Sequence, residues 1–177
     1  MAEPLNLLHL YAGEGKGKTT AAMGLALRAV GQGRRVLVAQ FLKTGRSGEL
    51  LALARFPEAH VFEAEPIGKF TFRMTDAERA EARVRQTAQL ERLIEAVNAE
   101  APGLMVFDEL AMAVCRGLIA EGDAWRLIEA GLKFGEVVVT GRHAPESMEK
   151  RADYVSEIKK IRHPFDRGVR ARRGIEF

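Results

Sequence analysis

Short apolar runs recur along the chain at 5–11 (LNLLHLY), 35–42 (RVLVAQFL), 60–64 (HVFEA), 103–110 (GLMVFDEL), 136–141 (EVVVTG) and 153–161 (DYVSEIKKI). Several are continuous rather than alternating, as expected of strands covered on both faces. Helix-like segments separate them. The stretch KTTAAMGLALRAVGQG, from residue 18, ends in glycines suited to a helix stop. The stretch 75–100 opens on Thr75 and Asp76 as cap candidates and runs for about seven turns. Within it Ala80, Val84, Ala88, Leu90, Leu93, Ile94 and Val97 predict an apolar stripe facing a sheet. Strands alternating with helices imply right-handed crossovers and an α/β fold with a mostly parallel central sheet flanked by helices. No internal repeat or linker interrupts the pattern, so residues 1–177 read as a single domain.

Composition fits this picture. A chain of 177 residues, 47% hydrophobic and 29% charged, buries enough surface to need no disulfide or metal staple. Cys115 is the one cysteine and cannot form an intramolecular bridge. The opening segment has neither a basic n-region nor an apolar stretch of signal-peptide length, and no run approaches the ~20 residues of a membrane span. A cytoplasmic protein with no membrane partner is the expectation. The net charge is only +3, but residues 159–173 carry seven basic residues against one acid, Asp166. That cluster reads as a solvated basic face or as a surface for an anion.

The densest chemistry lies in YAGEGKGKTT, residues 11–20, between an apolar run and a helix-like one. A strand, a glycine-rich turn and a helix aim backbone N–H groups and a helix N-terminus at one anion. Glycine allows close backbone approach, Lys18 reaches phosphate oxygens and Thr19 offers its hydroxyl to Mg²⁺. The pattern G-x-x-x-x-G-K-[ST] is one residue out of step. Ala12 stands where the first glycine belongs and Gly13 follows it, so the loop reads as a shortened variant. A nucleotide-bound Mg²⁺ needs an acid at the end of a neighbouring strand, and LMVFDEL supplies Asp108 and Glu109.

The loop and following segment (13–50), FDELAMAV (107–114), VVVTGRHAP (137–145), ADYVSEI (152–158) and HPFDRGVRARRGIEF (163–177), in that order, resemble the housekeeping bacterial type of corrinoid (cob(I)alamin) adenosyltransferase. The resemblance covers essentially the whole chain. It implies a P-loop NTPase-like (RecA-like) fold, usually as a homodimer. The implied enzyme moves the 5′-deoxyadenosyl group of ATP to the cobalt of a reduced corrinoid and releases triphosphate, in adenosylcobalamin biosynthesis or salvage. Mg²⁺, with Mn²⁺ as a substitute, is the implied cofactor, and an electron-donor protein the implied partner.

On matching positions, Gly13, Glu14, Gly15, Lys16, Gly17, Lys18, Thr19 and Thr20 are implied to bind the triphosphate, with Glu14 standing where asparagine is usual. Thr19 and Glu109 are implied to hold Mg²⁺, assisted by Asp108, and Lys18 to stabilise the leaving group. Phe70 and Phe72, in IGKFTFRM, match the aromatic wedge that crowds the lower corrin face, Phe72 standing where tryptophan is common. Because Co(I) is itself the nucleophile, no Ser, Cys or His base is required. His143 and His163 therefore read as surface or helix-end residues, and Cys115 as a buried small hydrophobe.

Arg142, after the fifth apolar run, stands where it can reach phosphates or ribose from the carboxyl edge of the sheet. Lys43 and Glu49 fall at the same edge and read as solvated loop residues. Two other classes share parts of this pattern. A nucleic-acid-associated P-loop ATPase accounts for the loop and the basic segment, but an aromatic content of 7% with no stacking cluster argues against nucleic acid. A non-catalytic carrier of adenosylcobalamin has the same site features and differs from a catalyst only in its products.

Overall fold

The computed structural model describes residues 5–43, 47–63, 65, 67 and 74–176. Among them a six-stranded sheet is built from β1 (Leu8–Ala12), β2 (Val36–Gln40), β3 (Ala59–Val61), β4 (Leu104–Asp108), β5 (Glu136–Gly141) and β6 (Tyr154–Glu157). Its spatial order is β3-β2-β4-β5-β1-β6 and every pairing is parallel. Such a sheet requires crossovers. They are supplied by α1 (Lys18–Val30), α2 (Gly48–Leu53), α3 (Asp76–Glu100), α4 (Leu110–Cys115), α5 (Glu121–Leu132) and α6 (Glu146–Arg151). The expected α/β fold, a parallel central sheet flanked by helices, is the one observed.

The continuous apolar runs become strands buried on both faces, and their alternation sorts them. Leu37, Ala39, Met105, Phe107, Val137 and Val139 join Leu90, Leu93, Leu110, Leu127 and Ile128 of α3, α4 and α5 in one cluster. Val36, Val38, Leu104, Val106 and Val138 pack with Ala22, Met23 and Ala26 of α1 and with Leu50 and Leu53 of α2 in the other. The helix layers meet the sheet closely. A methyl on Gly131 of α5 would lie 2.7 Å from Val137 Cγ2.

The long helix α3 starts where its cap residues place it. Thr75 Oγ1 accepts from the Glu78 N–H at 3.2 Å and the Glu78 carboxylate accepts from the Thr75 N–H at 2.9 Å. Its buried face differs from the predicted stripe in the first half. Ala80, Val84 and Ala88 are exposed, and Ala82, Gln86 and Gln89 are buried instead. The reason is what lies against them. Gln89 accepts from the Glu65 N–H at 2.7 Å and donates to the Gln40 carbonyl at 3.1 Å. A helix covering irregular backbone needs amides there, because the backbone groups require partners.

The last apolar run is the least like its expectation. β6 pairs only with β1, at the edge, and all four of its residues are exposed. No helix among the described residues is long and apolar enough to cross a membrane.

Two glycine substitutions test the packing. Gly24→Ala places a methyl in the exposed interior of α1, where nothing lies within 4 Å. It is expected to stabilise by about 0.5–1 kcal/mol, a Tm gain of about 2–4 °C. Gly135→Ala forces a methyl to 2.3 Å from the Gly103 carbonyl oxygen and should destabilise by about 2–3 kcal/mol. Urea unfolding of both variants beside the parent reads the two signs.

Candidate active site

The carboxyl ends of β1, β2, β4 and β5 open onto one cavity of about 840 Å³, whose wall includes Lys18, Thr19, Lys43, Glu109 and Arg142. Ligands collect at such an edge because the strands deliver loops and helix N-termini there. The loop from Gly13 to Gly17 forms the floor. Gly13 and Gly15 are required by space. A methyl on either would lie 2.6–2.7 Å from the Ile158 carbonyl oxygen, and Gly15 donates its N–H to that oxygen at 2.7 Å. Gly17 is required by conformation: its φ of 125° has nothing near it, and it leads into α1 without a side-chain cap. The amino end of α1 therefore faces the cavity with its backbone donors.

Lys18, the first residue of α1, donates from Nζ to the carbonyls of Gly13 at 2.6 Å and Gly15 at 2.7 Å. Its ammonium is held over the loop that carries it. Burial pushes its pKa below the ordinary lysine value; Glu109, Glu14 and Asp108 oppose that shift and Arg142 adds to it.

Beneath the loop lies Asp108, the last residue of β4, with 0% exposure. Its Oδ1 accepts from Thr19 Oγ1 at 2.8 Å and Thr140 Oγ1 at 2.7 Å. Its Oδ2 accepts from Gln40 Nε2 at 2.9 Å and Lys43 Nζ at 2.6 Å. Lys43 Nζ also donates to Thr19 Oγ1 at 3.0 Å. Every lone-pair direction of the carboxylate is thus taken. The neighbouring Glu109 has φ of 63°, a left-handed conformation uncommon for glutamate, and its N–H donates to Thr140 Oγ1 at 2.9 Å. Burial, then the charge of Asp108, push its pKa above the ordinary carboxylate value, against the pull of Lys43, Lys18 and Arg142.

These groups suit a hard divalent cation delivered with a phosphate. Thr19 Oγ1 and the Glu109 carboxylate are oxygens of the kind such a cation takes, with Asp108 holding Thr19 from behind, and Gln40 Oε1, in a residue only 1% exposed, has no hydrogen-bond partner among the described residues while its Nε2 is fixed on Asp108. That orphan acceptor calls for a donor such as a metal-bound water. Among the described residues no group of three or more His, Cys, Asp or Glu side chains could hold a metal. Phosphate oxygens would have to complete the shell.

The remaining expectations divide. Gly15, Lys16, Gly17, Thr20 and Glu49 line the cavity. Glu14 also lines it and pairs with Arg142 Nε at 3.3 Å and His143 Nε2 at 3.4 Å, so its charge has partners on the β5 loop. His163 accepts from the Phe165 N–H at 3.1 Å and caps a 3₁₀ turn, Pro164–Arg167. Lys43 is not a solvated loop residue, because the buried charge of Asp108 draws it inward. Cys115 is exposed rather than buried: α4 ends there and the chain turns away at Gly117, φ 65°. Phe70 and Phe72 lie outside the described residues. Gln40 and Thr140 were not anticipated. Their signal was present, since each is a polar residue near the carboxyl end of a mostly apolar run, as Asp108 is.

The family model described as ATP:corrinoid adenosyltransferase BtuR/CobO/CobP matches residues 5–177. The corrinoid adenosyltransferase of Pseudomonas aeruginosa is 36% identical over 97% of this chain and 83% of its own length. Corrinoid adenosyltransferase CobA of Salmonella typhimurium is 33% identical over 99% of this chain and 87% of its own. The corrinoid adenosyltransferase of Escherichia coli is 32% identical over 97% and 85%. Among solved structures, domain III of the Thermotoga maritima replication initiation protein DnaA aligns over 88% of this chain and 55% of its own, with 11% identity and a TM-score of 0.44, a likeness too slight to bear on function.

The buried network makes Thr140 a structural keystone of the site. Thr140→Val keeps the shape but leaves Asp108 one donor short and the Glu109 N–H without its acceptor. We expect a loss of about 2–3 kcal/mol in urea unfolding, largely recovered by Thr140→Ser.

Proposed function

This chain belongs to the ATP:corrinoid adenosyltransferase family, and we propose that its glycine loop grips the triphosphate of ATP so that C5′, rather than any phosphorus, meets the cobalt. The enzyme transfers the 5′-deoxyadenosyl group of ATP to a corrinoid. In that step Co(I) of the substrate donates an electron pair to C5′ and a Co–C bond forms. The C5′–O bond breaks, and its pair departs on the triphosphate.

The observation that carries the residue assignment is the convergence of Lys18, Thr19 and Glu109 on one cavity above Asp108. Because the nucleophile belongs to the substrate, the protein's work is to position the reactants and stabilise the leaving group. Backbone N–H groups of the loop, other than those of Gly13 and Gly15 that donate to the Arg142 and Ile158 carbonyls, and the amino end of α1 would hold the polyphosphate. Lys18 would exchange its loop carbonyls for phosphate oxygens, and Arg142 would reach phosphate or ribose from β5. Mg²⁺, or Mn²⁺ in its place, would be held by Thr19 and Glu109 with Asp108 behind them, and bound there it neutralises charge on the departing triphosphate. Phe70 and Phe72 would crowd the lower face of the corrin, stripping its axial ligand so that Co(II) becomes reducible. A homodimer, a cytoplasmic setting and a protein electron donor complete the proposal.

Incubation with ATP, Mg²⁺ and chemically reduced cobalamin should yield a Co–C bond, followed by its visible spectrum, with triphosphate as co-product. ADP and phosphate without cobalt alkylation would overturn the assignment. Lys18→Ala should lose activity by about 100-fold or more even with pre-formed Co(I). Phe70→Ala with Phe72→Ala should chiefly slow the reaction begun from Co(II); equal loss from both starting states removes the wedge.

A further inference from the structure

Lys43 stands where two roles collide. Its Nζ lies 2.6 Å from Asp108 Oδ2 and 3.0 Å from Thr19 Oγ1. Thr19 gives its hydroxyl proton to Asp108 Oδ1 at 2.8 Å, so what Lys43 takes from Thr19 is one oxygen lone pair. A metal ligated by Thr19 would take the second lone pair of that same oxygen, beside the one that Lys43 occupies. The ammonium and a divalent cation would lie within a few ångströms of one another and repel strongly. They cannot share the site.

We propose that Lys43 is a positioning residue, a built-in cation that holds the metal-side oxygens of Thr19 and Asp108 and yields them when a metal nucleotide enters. The inference rests on the assignment of Thr19 as a metal ligand. Three features say which partner moves. Asp108 is fully buried and pinned by three further donors, whereas the Lys43 side chain is 32% exposed and lines the cavity. Lys43 has somewhere to go, because a polyphosphate on the loop offers acceptors in the same cavity. Gln40 Oε1, buried beside Asp108 and without a hydrogen-bond partner among the described residues, provides an acceptor for water on an incoming cation.

The consequence is a coupling. A bare metal must displace Lys43 with no anion to receive it, and finds no cage of acidic or histidine side chains among the described residues. A metal arriving with polyphosphate supplies the missing ligands and the new partner for Lys43 at once. Metal and nucleotide therefore raise one another's affinity, by the reciprocity of linked binding.

Mn²⁺ binding without nucleotide, followed by electron paramagnetic resonance, tests the exchange. Lys43→Met should bind bare Mn²⁺ about tenfold or more tightly than the parent, because its competitor is gone, and Lys43→Arg should remain close to the parent. A merely structural lysine would give the opposite: loosening the site would lower the affinity or leave it unchanged, and either result overturns the proposal. Should Lys43→Met fold poorly, ¹⁵N-lysine spectra of the parent decide the matter. The Lys43 ammonium resonance, identified by its loss in Lys43→Arg, should be protected in the nucleotide-free protein and shift on adding Mg²⁺ with tripolyphosphate. An unmoved resonance overturns it. A parent that alkylates cobalt while the Mn²⁺ affinity of Lys43→Met does not rise removes the exchange and leaves the function standing; a rise without alkylation does the reverse.

Discussion

A carboxylate with no access to water must be given its hydrogen bonds by the protein, and the placement of Asp108 at the end of β4 imposes that demand on everything around it. Its four donors come from four places in the chain: Thr19 in α1, Gln40 closing β2, Lys43 just beyond it and Thr140 in β5. Satisfying one buried charge therefore fixes the level at which three adjacent strands end and the angle at which α1 leaves the loop. Removing the one full positive charge among those donors would leave an uncompensated ion, a loss of about 3–5 kcal/mol. The site is rigid for the same reason that it is reactive.

The loop above is fixed by a different means, the absence of space. Gly13 and Gly15 lie against the backbone at Ile158 and Lys159, just past β6, and the Ile158 N–H donates to the Ala12 carbonyl at 2.8 Å. The exposed edge strand thus buttresses the loop rather than extending the core. Beyond it the chain returns to the cavity, where His163, Ile175 and Glu176 form part of the wall. Several charges of the basic segment are already paired, Lys160 with Asp166 at 3.0 Å and Arg172 with Glu176 at 3.1 Å. This segment lines the cavity, and among the described residues it shows no aromatic stacking platform of the kind a single-stranded nucleic acid would require.

What could be read beforehand was what repeats or what is chemically singular. The continuous apolar runs announced a buried parallel sheet, the glycine-lysine stretch a tight strand–turn–helix loop, and Thr75 the start of α3. Pair-dependent features stayed hidden. Gln86 and Gln89 look like polar surface in a helical pattern until the backbone at Glu65 and Gln40 is laid beside them. Lys43 looks like one more charged loop residue until the depth of Asp108 is known. Cys115 sits in an apolar stretch, but a six-residue helix ends before it can cover its last residue. Gln40, Asp108 and Thr140 occupy a middle ground. Each is a polar side chain at or next to the carboxyl end of a mostly apolar strand, and the three meet only because β2, β4 and β5 are neighbours in that order.

The charges around the cavity also constrain how it binds a polyphosphate. Among the described residues, Lys16, Lys18, Lys43 and Arg142 are matched in its wall by Glu14, Glu49, Glu109 and Glu176, with Asp108 beneath. Net charge therefore cannot be what draws an anion in, unlike a cleft lined with one sign. Attraction has to come from oriented groups, the backbone N–H donors of the loop and the amino end of α1, whose fields act at short range. On the proposed reading, a cation arriving with the nucleotide would add to that attraction. Glu109 is suited to meet one, since burial and its neighbour Asp108 disfavour its ionised form until positive charge comes near. On the proposed reading, a wall balanced in this way would discriminate against an uncomplexed polyphosphate, because that ligand brings no positive charge to Glu109.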